Sequence, residues 1–392
     1  MSIGCVMCDC VNRGGVYIHV AVCRSKCIYC DFYSEVCHSG FDWERYVKTL
    51  VAELELRSCG LSAMREVSLY IGGGTPSLMP VGLLRFLVSE ARRIIMSAGS
   101  GDVRLTEVTL EVNPDDVTAG NADVWLDAGI NRVSMGVQSM NDKELRSIGR
   151  RHDAKKVMEA YGILRQRFGN LSLDLMFGLP GQTLESLSST LDVFTELHPE
   201  HISAYSLMYE ERTALTRLRD LGRIKETDEN LSVAMFEMVN ERLRKAGYMR
   251  YEISNYALPS FESRHNSAYW EGVPYVGVGP SAHSFDGRRC RRWNISDIRA
   301  YMLAVENGEK CHEEEMLSDK EITEERIMTG LRTAKGIDIV RFENDFGKAA
   351  RVELLDKAAS MLGEGYLKLD YNRLSLTDKG VMLSDDIIVD LF

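Results

Sequence analysis

Short, apolar, β-rich runs recur along this chain, and each is followed by a longer stretch with apolar residues at helical spacing. The runs are VYIHV (16–20), VSLYI (67–71), EVTLEV (107–112), RVSMGV (132–137), LSLDLMF (171–177) and HISAYSL (201–207). Between the first two, Tyr46, Leu50, Val51 and Leu54 share one helical face. Strand alternating with helix predicts a parallel α/β sheet. Six such units fit an incomplete barrel or a doubly wound sheet, and both carry their chemistry at the C-terminal ends of the strands.

The pattern stops near residue 255. Residues 256–318 read as irregular, with RHNSAYWEGVPYVGVGPSAHSF rich in Gly, Tyr and His. Residues 319–392 read as helices followed by two short strands around a turn at Tyr371, Asn372 and Arg373, the outline of a small winged-helix module. Four parts are therefore expected: an N-terminal extension (1–14), a core (15–255), a connecting segment (256–318) and a C-terminal domain (319–392). The last carries four more acidic than basic residues. A nucleic-acid-reading wing is normally basic, so a lid or docking role is expected instead.

The formal net charge is −11, which argues against a phosphate-backbone partner, since affinity there comes from clustered Lys and Arg. No apolar run reaches the ~20 residues that span a bilayer, and no secretory signal precedes the first strand. A cytoplasmic location follows as the expectation. Seven of the ten cysteines lie in the first 37 residues. In a reducing compartment such crowding points to a metal or catalytic site rather than to disulfides.

Directly after the first run, Cys23, Cys27 and Cys30 are spaced C-x3-C-x2-C. Two thiols suit a redox pair, and four close a structural zinc site. Three fit a cubane iron–sulfur cluster with one iron left free. A zinc site completed by a distant His, or three unrelated thiols, remain open on spacing alone. Later strand ends carry polar groups at the same mouth. Gly72, Gly73 and Gly74 allow close backbone approach to a ligand. Glu111, inside an apolar strand, needs a partner. Gln138, Arg150 and Asp174 follow in the fourth and fifth units.

The cysteine loop after YIH, with Tyr29 just before the last cysteine, resembles the signature of the radical S-adenosylmethionine (SAM) enzymes, and YIGGGTPS (70–77) resembles their glycine motif. From Tyr17 to about Pro180, and on through YEISNYA (251–257) to the C-terminal module, the chain resembles the coproporphyrinogen-III-oxidase-like branch of that family. The resemblance implies a partial (β/α)6 barrel and a [4Fe–4S] cluster on Cys23, Cys27 and Cys30. It implies SAM contacts from Tyr17, Tyr29, Gly73, Gly74, Thr75, Glu111, Gln138, Arg150 and Asp174.

Within that branch, the oxidase pattern has a further cysteine two positions after Cys30. Here that position is Phe32, as in the haem-chaperone group. RHNSAYW (264–270) resembles that group's H-N-x-x-Y-W segment, which makes His265 a candidate haem ligand, with Tyr269 and Trp270 as flat apolar surface. The alternative is a structural histidine. Arg288, Arg289, Arg291 and Arg292 are either propionate partners or a solvated loop. The resemblance thus implies a protein that carries haem as cargo to haem-accepting proteins, with an electron donor such as flavodoxin or ferredoxin. Two rivals stand beside it: oxygen-independent oxidation of coproporphyrinogen III, and a zinc-stabilised binding protein without radical chemistry. The chain departs from the pattern at Ala21-Val22, where relatives have Pro-Phe, and in Cys5, Cys8 and Cys10, which form a second metal site or a tail, the other reading being that translation starts at Met7.

Overall fold

A computed structural model describes residues 12–99 and 102–392. Cys5, Met7, Cys8 and Cys10 lie outside the described residues. The six expected strands form, as β1 (Arg13–Val20), β2 (Glu66–Gly73), β3 (Arg104–Val112), β4 (Arg132–Gln138), β5 (Leu171–Phe177) and β6 (His201–Ser206). They lie side by side in sequence order, all parallel. Helices Trp43–Leu56, Val81–Ala98, Ala119–Asp127, Ala154–Arg165, Leu184–Leu197 and Glu229–Lys245 follow them. The first shows why such segments coil: the Asp42 side chain caps the Arg45 N–H, and Tyr46, Val47, Leu50, Val51 and Leu54 bury one stripe against the sheet. This is the partial (β/α)6 arrangement that the resemblance implied, the first of the two that the alternation allowed.

Alternation within the strands decides what faces inward. Val16, Ile18 and Val20, then Val67, Leu69 and Ile71, join the outer apolar core with the helices. Their neighbours Tyr17, His19, Ser68 and Tyr70 are polar, as are Glu107, Thr109 and Glu111 in β3. The inside of the half-barrel is therefore a polar lumen.

Residues 256–318 are not irregular. Asn255–Ala257 adds an antiparallel strand beside β6. Tyr275–Val278 runs parallel beside β1, and His283–Phe285, Cys290–Asn294 and His312–Met316 extend that edge; with Met249–Arg250 beside Asn255–Ala257 the sheet has twelve strands in all. The strands from 255 to 316 are three to five residues long, too short to show an apolar period, and Cys290–Asn294 and His312–Met316 are also rich in Arg and Glu. Helix Arg264–Trp270 closes the floor of the lumen against Gly15 and Ser68.

The C-terminal domain has the expected small α+β form. Strands Ile337–Asp338, Arg373–Leu376 and Leu367–Asp370 make a three-stranded sheet, and its helices enclose a separate apolar core around Phe342, Leu354, Leu374 and Ile388. Two backbone bonds join it to the half-barrel, Ile253 N–H to Arg332 O and Ala334 N–H to Tyr251 O, both 3.0 Å. Among the described residues no helix is long and apolar enough to cross a membrane.

Candidate functional site

The cysteine loop leaves β1 at the mouth of the lumen. Val22–Cys23 pairs with Glu35–Val36, and the Cys37 N–H donates to Cys23 O at 2.7 Å, so the loop is closed at its base. Cys30 N–H donates to Cys27 O at 3.2 Å, which closes a tight turn between the two cysteines. Burial, then the nearby Cys27 and Cys23, push the Cys30 thiol up to about 11, against a bond from the Phe32 backbone. All three thiols are free of disulfides. Arg150 spans the mouth, donating through Nη1 to Cys27 Sγ at 3.8 Å and through Nη2 to Gly136 O.

The glycine turn lies next to the loop. Gly73 has φ +107° and donates its N–H to Glu111 Oε2 at 3.0 Å. A Cβ on Gly74 would meet the carbonyls of Val20 and Val22 at 2.7 Å, so only glycine lets this turn press against β1. The Gly74 N–H donates to Val20 O and the Thr75 N–H to Val22 O, both at 2.9 Å. Gln138, at the end of β4, is held at φ +74°, a conformation that costs about 1–3 kcal/mol and is sustained only by its surroundings.

Two carboxyls line the lumen just below. Glu111 accepts from the Tyr70 hydroxyl at 2.8 Å as well as from Gly73. Burial raises its carboxyl, and those two bonds oppose the rise. Asp174 accepts from Ser134 Oγ at 3.2 Å. Burial and the Glu111 charge push it from 3.8 to about 7. The folded state therefore holds this proton more tightly than the unfolded chain. Its contribution to stability is full below about pH 4 and is lost as pH rises through about 7. Asp174→Asn cannot ionise, so its Tm is expected to fall less than the wild type's between about pH 5 and pH 8. Parallel Tm–pH curves would remove the shift.

Tyr17 points into the lumen beside Tyr70, with ring centroids 6.0 Å apart, and its hydroxyl lies 3.1 Å from His19 Nδ1. Tyr29 packs into a small apolar group with Ile28, Ile148, Leu207 and Leu215. The structure thus gathers Cys23, Cys27, Cys30, Tyr29, Gly73, Gly74, Thr75, Glu111, Gln138, Arg150 and Asp174 around one mouth, with Tyr17 beneath.

His265 is not among them. It sits on the floor, near the start of β1, whereas the cysteine loop follows the end of that strand, roughly 17 Å away at ~3.3 Å per residue. The ring is 2% exposed. Nδ1 lies 2.8 Å from Ser68 Oγ and Nε2 lies 2.9 Å from the Tyr269 hydroxyl, while Glu107 accepts from the His265 N–H at 3.1 Å. Burial and the Arg132 charge lower its pKa to about 3. Against the expectation of an iron ligand, both ring nitrogens are already engaged, and iron could bind only at the loss of one bond. The arginines at 289, 291 and 292 are likewise engaged, with Asp319, Glu325 and Glu314. Sequence reasoning missed His19, Tyr70, Glu107 and Arg132. The signal was present in the inward phase of β1 to β4.

A soft all-thiol donor set suits an iron–sulfur cluster. The glycine cradle, the carboxyls and the buried Nε of Arg150 that lacks a partner suit a polar ligand beside it.

The model of the radical SAM superfamily matches residues 17–194, and that of the HemN C-terminal domain matches residues 317–383. The haem chaperone HemW of Lactococcus lactis is 33% identical over 374 residues, covering 95% of each chain. This chain belongs to the HemW family of radical SAM proteins. HemW of Bacillus subtilis is 32% identical, over 95% of this chain and 97% of its own. The mouse mitochondrial radical S-adenosyl methionine domain-containing protein 1 is 30% identical over 97% of this chain and 87% of its own. The solved structure of Escherichia coli coproporphyrinogen III oxidase, HemN, superposes with a TM-score of 0.82 at 22% identity, over 97% of this chain and 90% of that one. It shares the fold with the HemW family. Membership in the radical SAM superfamily implies a [4Fe–4S] cluster and SAM.

Proposed function

We propose that this chain binds haem and hands it to haem-requiring proteins in the cytoplasm, where a reducing environment keeps its cysteines free. The full-length likeness to haem chaperones carries this reading, and Phe32 in place of the oxidase's fourth cysteine supports it. Cys23, Cys27 and Cys30 are the cluster ligands in this reading. Gly73, Gly74 and Thr75 hold the amino-acid end of SAM, Glu111 and Asp174 its hydroxyls, Arg150 and Gln138 its charged groups, and Tyr17 and Tyr29 flank it. When bound, cluster and SAM supply one-electron chemistry at the mouth. The chain's own residues orient the ligand and keep water from the space above Tyr17 and Tyr70.

Two experiments test the reading. Haem titrated into the anaerobically reconstituted protein should give a saturable Soret band, and apo-haem-protein added afterwards should take the haem up. Coproporphyrinogen III supplied with SAM and reductant should come back undecarboxylated. Protoporphyrinogen in excess of the protein would establish the oxidase reading, which the shared fold keeps in view.

His265 has its own test. With both nitrogens bonded, His265→Ala is expected to leave the Soret position unchanged and to lower Tm, because it leaves Ser68 and the Tyr269 hydroxyl unpartnered at about 1–3 kcal/mol per group. A shifted Soret band would make His265 the iron ligand.

A further inference from the structure

Two aspartates of LEVNPDD are left over once Glu111 has met Tyr70 and Gly73. They close a short turn, Pro114–Asp116, directly after β3. The turn is stiff. Pro114 is buried and fixes its own φ. Asn113 accepts the Asp115 N–H at Oδ1, 3.2 Å away, and the Asp116 N–H at its carbonyl, 3.0 Å away. The Asp116 carbonyl accepts from Asn121 Nδ2 at 2.9 Å. From this frame the two carboxylates reach three separate segments of the mouth. Asp116 accepts at Oδ1 from Arg24 Nη2 at 3.2 Å and at Oδ2 from Ser77 Oγ at 2.8 Å. Ser77 Oγ in turn accepts the Asn113 N–H at 3.0 Å. Asp115 pairs with Arg151 at 3.0 Å. Arg24 lies between the first two cysteines of the loop, Ser77 two residues beyond Thr75, and Arg151 directly after Arg150. The Asp116 side chain is 7% exposed and that of Arg24 56%. A pair with one member half in water adds little stability. A carboxylate this buried nevertheless needs its donors, and both come from segments that line the mouth. What the bonds supply is geometry.

We propose that Asp116 is a positioning residue that sets the distance between the cysteine loop and the glycine turn, holding one through Arg24 and the other through Ser77. The proposal rests on the reading that the three cysteines hold a cluster and that Gly73, Gly74 and Thr75 hold the amino-acid end of SAM. A ligand that must meet both at once is sensitive to their separation, since misplacement by about 1 Å is enough to cost much of a site's efficiency. Asp116 acts through its two partners, as outer groups act on metal ligands, where losing one costs about tenfold or more in affinity. Asp115 steadies Arg150 from the same frame through Arg151.

The test is SAM binding to the anaerobically reconstituted protein by equilibrium dialysis, with iron content, Tm and the electron paramagnetic resonance spectrum of the reduced cluster measured alongside. Asp116→Ala should keep wild-type iron, bind SAM about tenfold more weakly, and lose the spectral change that SAM produces at concentrations saturating the wild type. Arg24→Ala breaks one arm and should reproduce most of that loss while barely lowering Tm. Arg24→Lys keeps the charge and should recover most of the affinity. Arg165→Ala is the control: it breaks the pair with the buried Glu200 ahead of β6, away from the mouth, and should lower Tm without moving SAM affinity. If Asp116→Ala does not fold, Asp116→Asn, which still accepts from Ser77 and loses the charge facing Arg24, carries the same expectation. Wild-type SAM affinity in the Asp116 variant would overturn the positioning role. So would loss of its iron, because the aspartate would then hold the loop itself and not its distance from the turn. A wild-type protein that takes up no iron, or whose cluster spectrum SAM leaves unchanged, would overturn the cluster and SAM reading, and the positioning role with it.

Discussion

Cys27→Ala should leave the anaerobically reconstituted protein almost without iron and acid-labile sulfide, where the wild type holds about four of each per chain. The expectation follows from how the loop is built. Three thiols supply three ligands, and a cubane held by two protein ligands has two irons open to solvent thiols and oxygen. Cys27 is also the thiol that Arg150 reaches, so its loss removes the loop's tie to Gly136 as well. The fold should survive, because the half-barrel core is formed by β1 to β6 and their helices and contains neither Cys27 nor Cys30. Far-ultraviolet circular dichroism should therefore match the wild type. Cys59→Ala, in an exposed turn, serves as the control and should keep its full iron content. Retained iron in the Cys27 variant would show that these cysteines are not the ligand set.

Glu53→Ala should be the most destabilising single change outside the mouth, at about 3–5 kcal/mol. Glu53 is 2% exposed in the helix Trp43–Leu56. Its Oε2 accepts from the Gly279 N–H at 2.9 Å and from the Tyr301 hydroxyl at 2.5 Å. Its Oε1 accepts from Asn294 Nδ2 at 2.8 Å and from Arg57 Nη1 at 3.4 Å. One carboxylate thus ties the first helix to three segments more than 200 residues away. Truncation strands the Tyr301 hydroxyl and the Gly279 N–H and removes one bond each from Arg57 and Asn294, which keep Gly277 O, Ser284 Oγ and Gly279 O, and each unmet donor carries its desolvation cost. Urea unfolding should show the midpoint falling with little change in slope. Glu53→Gln keeps both oxygen and shape and should recover part of the loss. A midpoint within experimental error of wild type would mean that water replaces these bonds freely.

The mouth was legible in the sequence because its parts are local. Cys23, Cys27 and Cys30 sit in eight consecutive residues, the glycines form one run, and Glu111 and Gln138 mark the ends of strands whose apolar period is plain. The floor was not legible. His265 meets Ser68 and Glu107, which are 197 and 158 residues away, and only the sheet order brings them together. His19 stands inside the quoted YIHV run, yet nothing in that run says that its Nε2 lies 2.9 Å from Tyr33 O, behind the cysteine loop. The four strands between 275 and 316 were missed for another reason. They pair through backbone at a sheet edge, where Arg291 against Glu315 and Arg292 against Glu314 stand in register, and such pairs leave no hydrophobic period to read.

The placing of Tyr275–Val278 against β1 sets a clock on synthesis. The first strand made is among the last to be completed, since its outer neighbour lies at 275–278 and its Arg13 side chain waits for Glu271, 258 residues later. A ribosome adding about 5–20 residues per second leaves that edge without its partner for roughly 13–50 s. During that interval the nascent half-barrel displays an apolar open strand, the kind of edge that recruits other chains. Nascent chains halted shortly after residue 206 should accordingly aggregate, and chains halted well past residue 278 should not.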